Sequence, residues 1–130
     1  MRYLGIDYGT KRIGLALSDD EGRIAFPAGV ILNTGEPEVL KDLRDLIGKE
    51  RVGKIIVGLP KQPGRPDSVV AEEIKIFAQA LSKVVSCSVK LNNELLTTKI
   101  AEEYARDKKN ADASAAALIL QGYLDMEMNK

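Results

Sequence analysis

The spacing of hydrophobic residues changes part-way along this chain, and that change constrains the fold more than any other feature. In the first part, apolar residues alternate with glycine and polar residues, which predicts strands over Arg2–Tyr8, Arg12–Ser18 and Arg23–Ile31. Glycine-containing turns at Tyr8–Lys11 and Asp19–Gly22 separate these segments. The chain is therefore expected to begin as an antiparallel meander.

The remainder of the chain alternates helical spacing with short apolar runs. A continuous apolar run predicts a further strand over Lys54–Leu59, and a fifth strand is predicted over Cys87–Leu91. Helical spacing predicts four helices, over about 36–51, 68–85, 97–107 and 112–127.

The order of elements, βββ-α-β-α-β-α-α, predicts an α/β fold of the ribonuclease-H-like type. Such a fold has a mixed five-stranded sheet, in which three antiparallel strands are followed by alternating strands and helices, with helices on both faces. One half of an actin-like or sugar-kinase ATPase has the same order. Pro27 predicts an edge position or a bulge for the third strand.

Composition fits one domain over residues 1–130 and excludes several kinds of chemistry. Hydrophobic residues make up 45% of the chain and charged residues 29%, as is usual for globular proteins. The 19 basic residues balance 19 acidic ones, so any phosphate-binding surface must be local. With no histidine and one cysteine, Cys87, histidine catalysis, His/Cys metal sites and an internal disulfide are excluded. The absence of a signal peptide or a membrane-spanning run predicts a cytoplasmic protein with no membrane partner.

Three carboxylates, Asp7, Glu94 and Asp112, lie at predicted strand ends or helix starts. Taken alone, Asp7 fits a turn residue and Asp112 fits a helix N-cap. Glu94 fits a first-turn glutamate, with Asn92 or Asn93 as the cap of the same helix. Yet the helix after Asp112 is apolar nearly all round and must be buried against the sheet. That packing would bring Asp112 to the edge where the strands of the other two acids end.

Carboxylates that converge repel each other and require either protonation or a bound cation. An oxygen-only cluster suits a hard ion such as Mg²⁺ or Mn²⁺. Two such ions about 4 Å apart can activate a water and stabilise the leaving oxygen of a phosphodiester. We therefore interpret Asp7, Glu94 and Asp112 as candidate catalytic and metal-binding residues for phosphoryl chemistry.

Candidate phosphate-binding groups flank two of these acids. The stretch DYGTKRIG provides a glycine turn, a hydroxyl and two cations beside Asp7. A lysine pair precedes Asp112. The candidate nucleic-acid-binding residues are Gly9, Thr10, Lys11, Arg12, Lys108 and Lys109.

Four segments carry a resemblance to one family: DYGTKRIGLALSD, IIVGLP with Gly64 in the loop after it, NNELLTT, and ADASAAALILQGYLD. By the order and spacing of these segments, essentially the whole chain resembles the YqgF/RuvX family. Its members are pre-16S rRNA nucleases, also called Holliday-junction-resolvase-like proteins.

The resemblance implies a metal-dependent endonuclease, a phosphodiester hydrolase that processes the 5′ end of pre-16S rRNA during ribosome biogenesis. It implies Mg²⁺ or Mn²⁺ on Asp7, Glu94 and Asp112, and structured RNA, branched DNA or ribosomal assembly particles as partners. Asn93 stands where the family has aspartate, which removes a negative charge beside Glu94. Leu95 stands where the family has arginine, which removes a possible phosphate contact.

Other functions stay open at the level of sequence. Resolution of four-way DNA junctions would use the same chemistry and would favour a homodimer over a monomer; the oligomeric state is undecided. An ATP-binding module would also fit the DYGT hairpin, although such proteins close two domains over the nucleotide. A non-catalytic RNA-binding ribosome-assembly factor is a further alternative, and the departures at Asn93 and Leu95 are its only support.

Overall fold

The computed structural model describes residues 1–60, 69–94 and 111–128, with the backbone alone at 60, 69, 93, 94, 111 and 112. The helix predicted over 97–107 and most of the proline-rich loop before the second helix lie outside the described residues. The described elements are β1 (Arg2–Asp7), β2 (Arg12–Ser18), β3 (Ala25–Leu32), α1 (Glu36–Glu50), β4 (Val52–Pro60), α2 (Val69–Val84), β5 (Ser88–Glu94) and α3 (Ala111–Met128).

These strands form one mixed sheet in the order β3-β2-β1-β4-β5. β1, β2 and β3 pair antiparallel, as the alternating pattern predicted, whereas β1, β4 and β5 are parallel. β3 is an edge strand with a bulge at the predicted proline, because Leu15 pairs with Gly29 and Ala16 pairs with Pro27, leaving Ala28 without a partner in the ladder.

Helices cover both faces of the sheet, as predicted. α1 and α2 pack on one face around an aliphatic core, and α3 packs on the other face around a second, smaller one. The neighbours Ile55 and Ile56 in β4 are both fully buried, one in each core. Burial on both faces explains why the sequence of β4 is continuously apolar.

Two glycines let α3 lie directly on the strands. A Cβ atom built on Gly5 would lie 2.7 Å from Leu120 Cβ and 3.0 Å from the Ala116 carbonyl oxygen. A Cβ atom on Gly58 would collide with the side chain of Ile119. Because α3 approaches the backbone so closely, the glycines fix its height above the sheet.

The contacts along α3 also fix its direction. The Tyr123 ring packs against Tyr3, near the start of β1, with the ring centroids 6.1 Å apart. Ala116, earlier in α3, lies over Gly5 instead. α3 therefore runs antiparallel to β1, and its first turn lies towards the carboxyl end of that strand.

None of the helices in the described ranges is both long enough and apolar enough to cross a bilayer.

Candidate active-site edge

The parallel strands place two of the predicted acids at one edge of the sheet. Asp7 is the last residue of β1, and Glu94 is the last residue of β5. β4 lies between them and runs in the same direction, so the carboxyl ends of all three strands meet at this edge. Two strand spacings separate the backbones of β1 and β5, a distance of about 10 Å.

Glu94 lies in the strand itself and not at the start of a helix. β5 continues past the predicted end at Leu91 and pairs through Glu94 with Pro60. Asn92 and Asn93 are strand residues too, so their predicted role as a helix cap is wrong. Asparagine has a low preference for strands, which is why the apolar pattern ended too early.

Side-chain alternation puts both acids on the face of the sheet that α3 covers. Gly5 lies beneath α3, and Asp7 follows it by two residues, so the two share a face. Gly58 also lies beneath α3 and pairs with Asn92, which precedes Glu94 by two residues. Asp7 and Glu94 therefore belong to the same face as well as to the same edge.

The third acid arrives with the first turn of α3. Asp112 is the second residue of this helix and does not precede it as an N-cap. α3 rises about 6 Å between Asp112 and Ala116, and β1 advances about 7 Å between Gly5 and Asp7. Because Ala116 and Leu120 lie over Gly5 and the two elements are antiparallel, the chain from Ala116 back to Asp112 runs in the direction of Asp7.

The backbone thus places Asp7 and Glu94 at one edge of the sheet and Asp112 in the first turn of the helix that covers this face, whereas the convergence of the three carboxylates stays a prediction. Asp7 is half-buried. For Glu94 and Asp112 the structure describes the backbone alone. Among the described side chains, no three acidic or sulfur groups are close enough together to hold a metal ion.

The hairpin between β1 and β2 carries four of the candidate nucleic-acid-binding residues beside Asp7. Thr10, Lys11 and Arg12 are exposed, and Gly9 leaves no room for a side chain, since a Cβ atom there would collide with the Arg12 carbonyl. Lys108 and Lys109 lie outside the described residues.

Asn33, which follows β3, holds this hairpin in place and was not predicted. Its Nδ2 donates a hydrogen bond to the Gly9 carbonyl at 2.9 Å. Its backbone N–H donates to the Lys11 carbonyl, also at 2.9 Å. An asparagine in a loop is too common a signal for the sequence alone to reveal such a role.

Asn92 is a second residue at this edge whose importance the sequence did not reveal. Its side chain is 7% exposed, and its Nδ2 is buried without a hydrogen-bond partner. Buried polar groups are nearly always paired, so this amide calls for an explanation.

The opposite face of the same edge has a pocket of about 160 Å³ between α1 and α2. Tyr8, which follows β1, lies there and packs on Phe77, with ring centroids 4.6 Å apart. The pocket is lined by Tyr8, Asn33, Glu36, Val39, Glu73, Ile76 and Phe77.

Away from the edge, the C-terminal half of α3 is fastened by polar contacts. Lys54 Nζ donates to the Tyr123 hydroxyl at 2.6 Å, and this hydrogen bond raises the pKa of Lys54. Gln121 accepts a hydrogen bond from the Ala25 N–H at 2.8 Å and donates one to the Arg23 carbonyl at 3.0 Å. These bonds tie α3 to β4 and to the start of β3.

A five-stranded mixed sheet with helices on both faces, and acid positions at its carboxyl edge, defines a ribonuclease-H-like α/β protein. The RuvC structure from Thermus thermophilus has the same fold: it superposes with a TM-score of 0.65 at 16% identity, over 99% of this chain and 97% of that one. The family model described as "RuvX: Holliday junction resolvase" matches residues 1–126. The chain therefore belongs to the RuvX family, as the sequence motifs predicted.

Curated relatives support the same assignment. A protein of Maridesulfovibrio salexigens named "Putative pre-16S rRNA nuclease" is 35% identical over 95% of this chain and 98% of its own length. A protein of the same name from Halothermothrix orenii is 38% identical over 98% of this chain and 96% of its own length.

Proposed function

We propose that this protein is a divalent-metal-dependent endonuclease that processes the 5′ region of pre-16S rRNA, with residues 1–130 forming one nuclease domain. The observation that carries the proposal is that β1 and β5 end in Asp7 and Glu94 at one edge of the sheet, while Asp112 lies in the first turn of α3, the helix that covers this face. Membership of the RuvX family supports nuclease activity, and the names of the two relatives support pre-16S rRNA as the substrate.

The donors at this edge fit a hard divalent cation. Aspartate and glutamate carboxylates are the ligands that Mg²⁺ and Mn²⁺ take in proteins, and the chain has no histidine that would favour a softer metal. Asp7, Glu94 and Asp112 would hold the ion or ions. A divalent ion held there would act as a Lewis acid on the scissile phosphodiester.

The hairpin beside Asp7 would orient the nucleic-acid backbone. Lys11 and Arg12 present cations to phosphate oxygens, and Thr10 presents a hydroxyl. The two hydrogen bonds from Asn33 tie this hairpin to the end of β3. Lys108 and Lys109 precede the first turn of α3 and would provide a second phosphate contact.

No imidazole is available as a general acid or base, because the chain lacks histidine. Proton transfer would therefore fall to solvent and to the phosphate oxygens of the substrate. The role of the protein would then be to position the phosphodiester and to provide carboxylate ligands for the cation.

Four-way DNA junctions are a second candidate substrate, because the matching family model is described as a Holliday junction resolvase. Cutting two opposed strands requires two facing sites, so a homodimer would favour this substrate and a monomer would favour RNA. A pre-16S rRNA substrate would place the protein in the cytoplasm, acting on naked precursor RNA or on a ribosomal assembly particle.

The test is cleavage of an end-labelled pre-16S 5′-leader RNA in Mg²⁺ or Mn²⁺, with a four-way DNA junction and plain duplexes run in parallel. Asp7→Asn removes one proposed ligand while keeping the size of the side chain. Asp42→Asn is the matched control, since Asp42 is exposed on α1, on the opposite face of the sheet.

We expect RNA cleavage that EDTA abolishes, that Asp7→Asn lowers at least about 100-fold and that Asp42→Asn leaves unchanged. Cutting of the junction alone would select the DNA substrate. RNA binding without cutting of any substrate, on naked RNA and on assembly particles alike, would refute the nuclease and favour an RNA-binding assembly factor.

A further inference from the structure

Asn92 is an unfavourable choice for the place it occupies. It lies inside β5, where asparagine is a poor strand former. Its Nδ2 is buried and has no hydrogen-bond partner, which costs stability that an apolar side chain of similar size would not cost. Departures of this kind concentrate at functional sites, where they are tolerated for what the residue does.

The register of the sheet puts Asn92 inside the candidate site. It pairs with Gly58 of β4, and the preceding pair of β1 and β4 is Ile6 with Val57. Asn92 is therefore level with Asp7, across a glycine that has no side chain. Ser88 and Lys90 lie on the same face of β5 and are exposed, whereas Asn92 is buried. Among these three residues, only the one nearest the carboxyl end of the strand is buried.

Asn92 also shares its strand and its face with Glu94. Residues two apart in a strand have Cα atoms about 7 Å apart and side chains on the same side. Over that separation an asparagine amide and a glutamate carboxylate can form a hydrogen bond. Asn93, the residue between them, belongs to the other face and cannot make this contact.

Resting on the function proposed above, we propose that Asn92 is a positioning residue for Glu94. Its Nδ2, which has no partner in this structure, would donate a hydrogen bond to one carboxylate oxygen of Glu94 once a cation is held there, and would so leave the other oxygen to the cation. Carboxylates that bind metals are themselves held by hydrogen bonds of this kind. A neutral amide is suited to the task, because it orients the carboxylate without cancelling the charge that attracts the cation.

If Asn92 has this role, replacing it should raise the stability of the protein and lower its affinity for the metal. In Asn92→Leu, the metal-free protein should melt about 3–10 °C higher by circular dichroism, since the unpaired donor is gone. Its affinity for Mn²⁺, measured by electron paramagnetic resonance titration of the metal-free protein, should fall about 10–100-fold. The matched control is Asn33→Leu, which removes a paired Nδ2 and should lower the melting temperature.

A double-mutant cycle shows whether the effect passes through Glu94. In a Glu94→Gln background, where the ligand is already weakened, Asn92→Leu should change the Mn²⁺ affinity by less than about threefold. An undiminished loss in that background would show that Asn92 acts on something other than Glu94 and would overturn the proposal.

The outcomes separate this proposal from the proposed function. Wild-type protein that binds Mn²⁺, with Asn92→Leu binding it equally well, would overturn the positioning role alone. Wild-type protein that binds no divalent cation and cuts no substrate would overturn the metal-dependent nuclease and this role together. A melting temperature that falls in metal-free Asn92→Leu would show that the amide is already paired without the cation, and that too would contradict the proposal.

Discussion

Substitution of Gly5 by alanine should move α3, which carries Asp112, away from the sheet whose strands end in Asp7 and Glu94. The added Cβ atom would lie 2.7 Å from Leu120 Cβ and 3.0 Å from the backbone oxygen of Ala116. Carbon atoms in contact prefer about 3.5–4.0 Å, so α3 would have to lift by about 1 Å. The Ala116 oxygen belongs to the helix backbone and cannot turn aside, which makes a local adjustment insufficient.

The size of the effect follows from overpacking. Forcing an extra methyl group into a packed core costs about 1–3 kcal/mol. For a domain of this size that corresponds to a fall in melting temperature of about 3–15 °C. A 1 Å displacement of a catalytic group can lower the rate about 100-fold, so cleavage of the leader RNA should fall at temperatures where the variant is fully folded.

Gly48→Ala is the matched control for this variant. Gly48 lies in α1, and a Cβ atom there would meet nothing within 4 Å. Alanine should stabilise that helix by about 0.5–1 kcal/mol, so the same chemical change would raise the melting temperature. If Gly5→Ala melted at or above the wild-type temperature, or cut RNA at the wild-type rate, the close packing of α3 on β1 would be refuted.

Three further results are expected. Lys11→Gln should weaken nucleic-acid binding and reduce the slope of log K against log salt by about 0.7–0.9. Lys41→Gln on α1 is the control and should leave the slope unchanged. Equal slopes for the two variants would show that Lys11 does not contact the nucleic acid. Lys54→Met should lower the free energy of unfolding by about 1 kcal/mol at pH 7, through loss of the bond to the Tyr123 hydroxyl. The folded-state pKa of Lys54 is raised, so this loss of stability should be complete below about pH 10.4, the pKa of an unperturbed lysine. The loss should shrink as the pH rises through the folded-state pKa. A loss that stays constant in urea melts from pH 7 to 11 would contradict this. Burial raises the pKa of the Cys87 thiol, so a disulfide reagent at pH 8 should react more slowly with the folded protein than with the chain in urea, and equal rates would show a freely exposed thiol.

The sheet could be predicted from the sequence because its signals are local. Alternation identified β1 to β3, and the apolar run that includes Ile55 and Ile56 identified a strand covered on both faces. Pro27 marked the bulge in the edge strand because its missing N–H leaves few other places in a sheet. Each of these features can be recognised within a few residues.

The candidate site was less accessible to prediction, since its geometry depends on long-range packing. Asn92 and Glu94 resembled the cap and first turn of a helix, and only their pairing with β4 places them in a strand. The contacts of Gly5 and Gly58 with α3 join residues far apart in the sequence. A glycine in a strand pattern indicates a close approach without indicating what approaches.

The packing of α3 against the first strands has a consequence for folding. Residues of α3 and of the first hairpin are far apart in the sequence, yet they share one core. A long loop must close before such contacts can form, and contacts of this kind slow folding. Until α3 has docked, the folding chain exposes the apolar face of β2 and β4 that this helix covers, including Ala16 and Ile56.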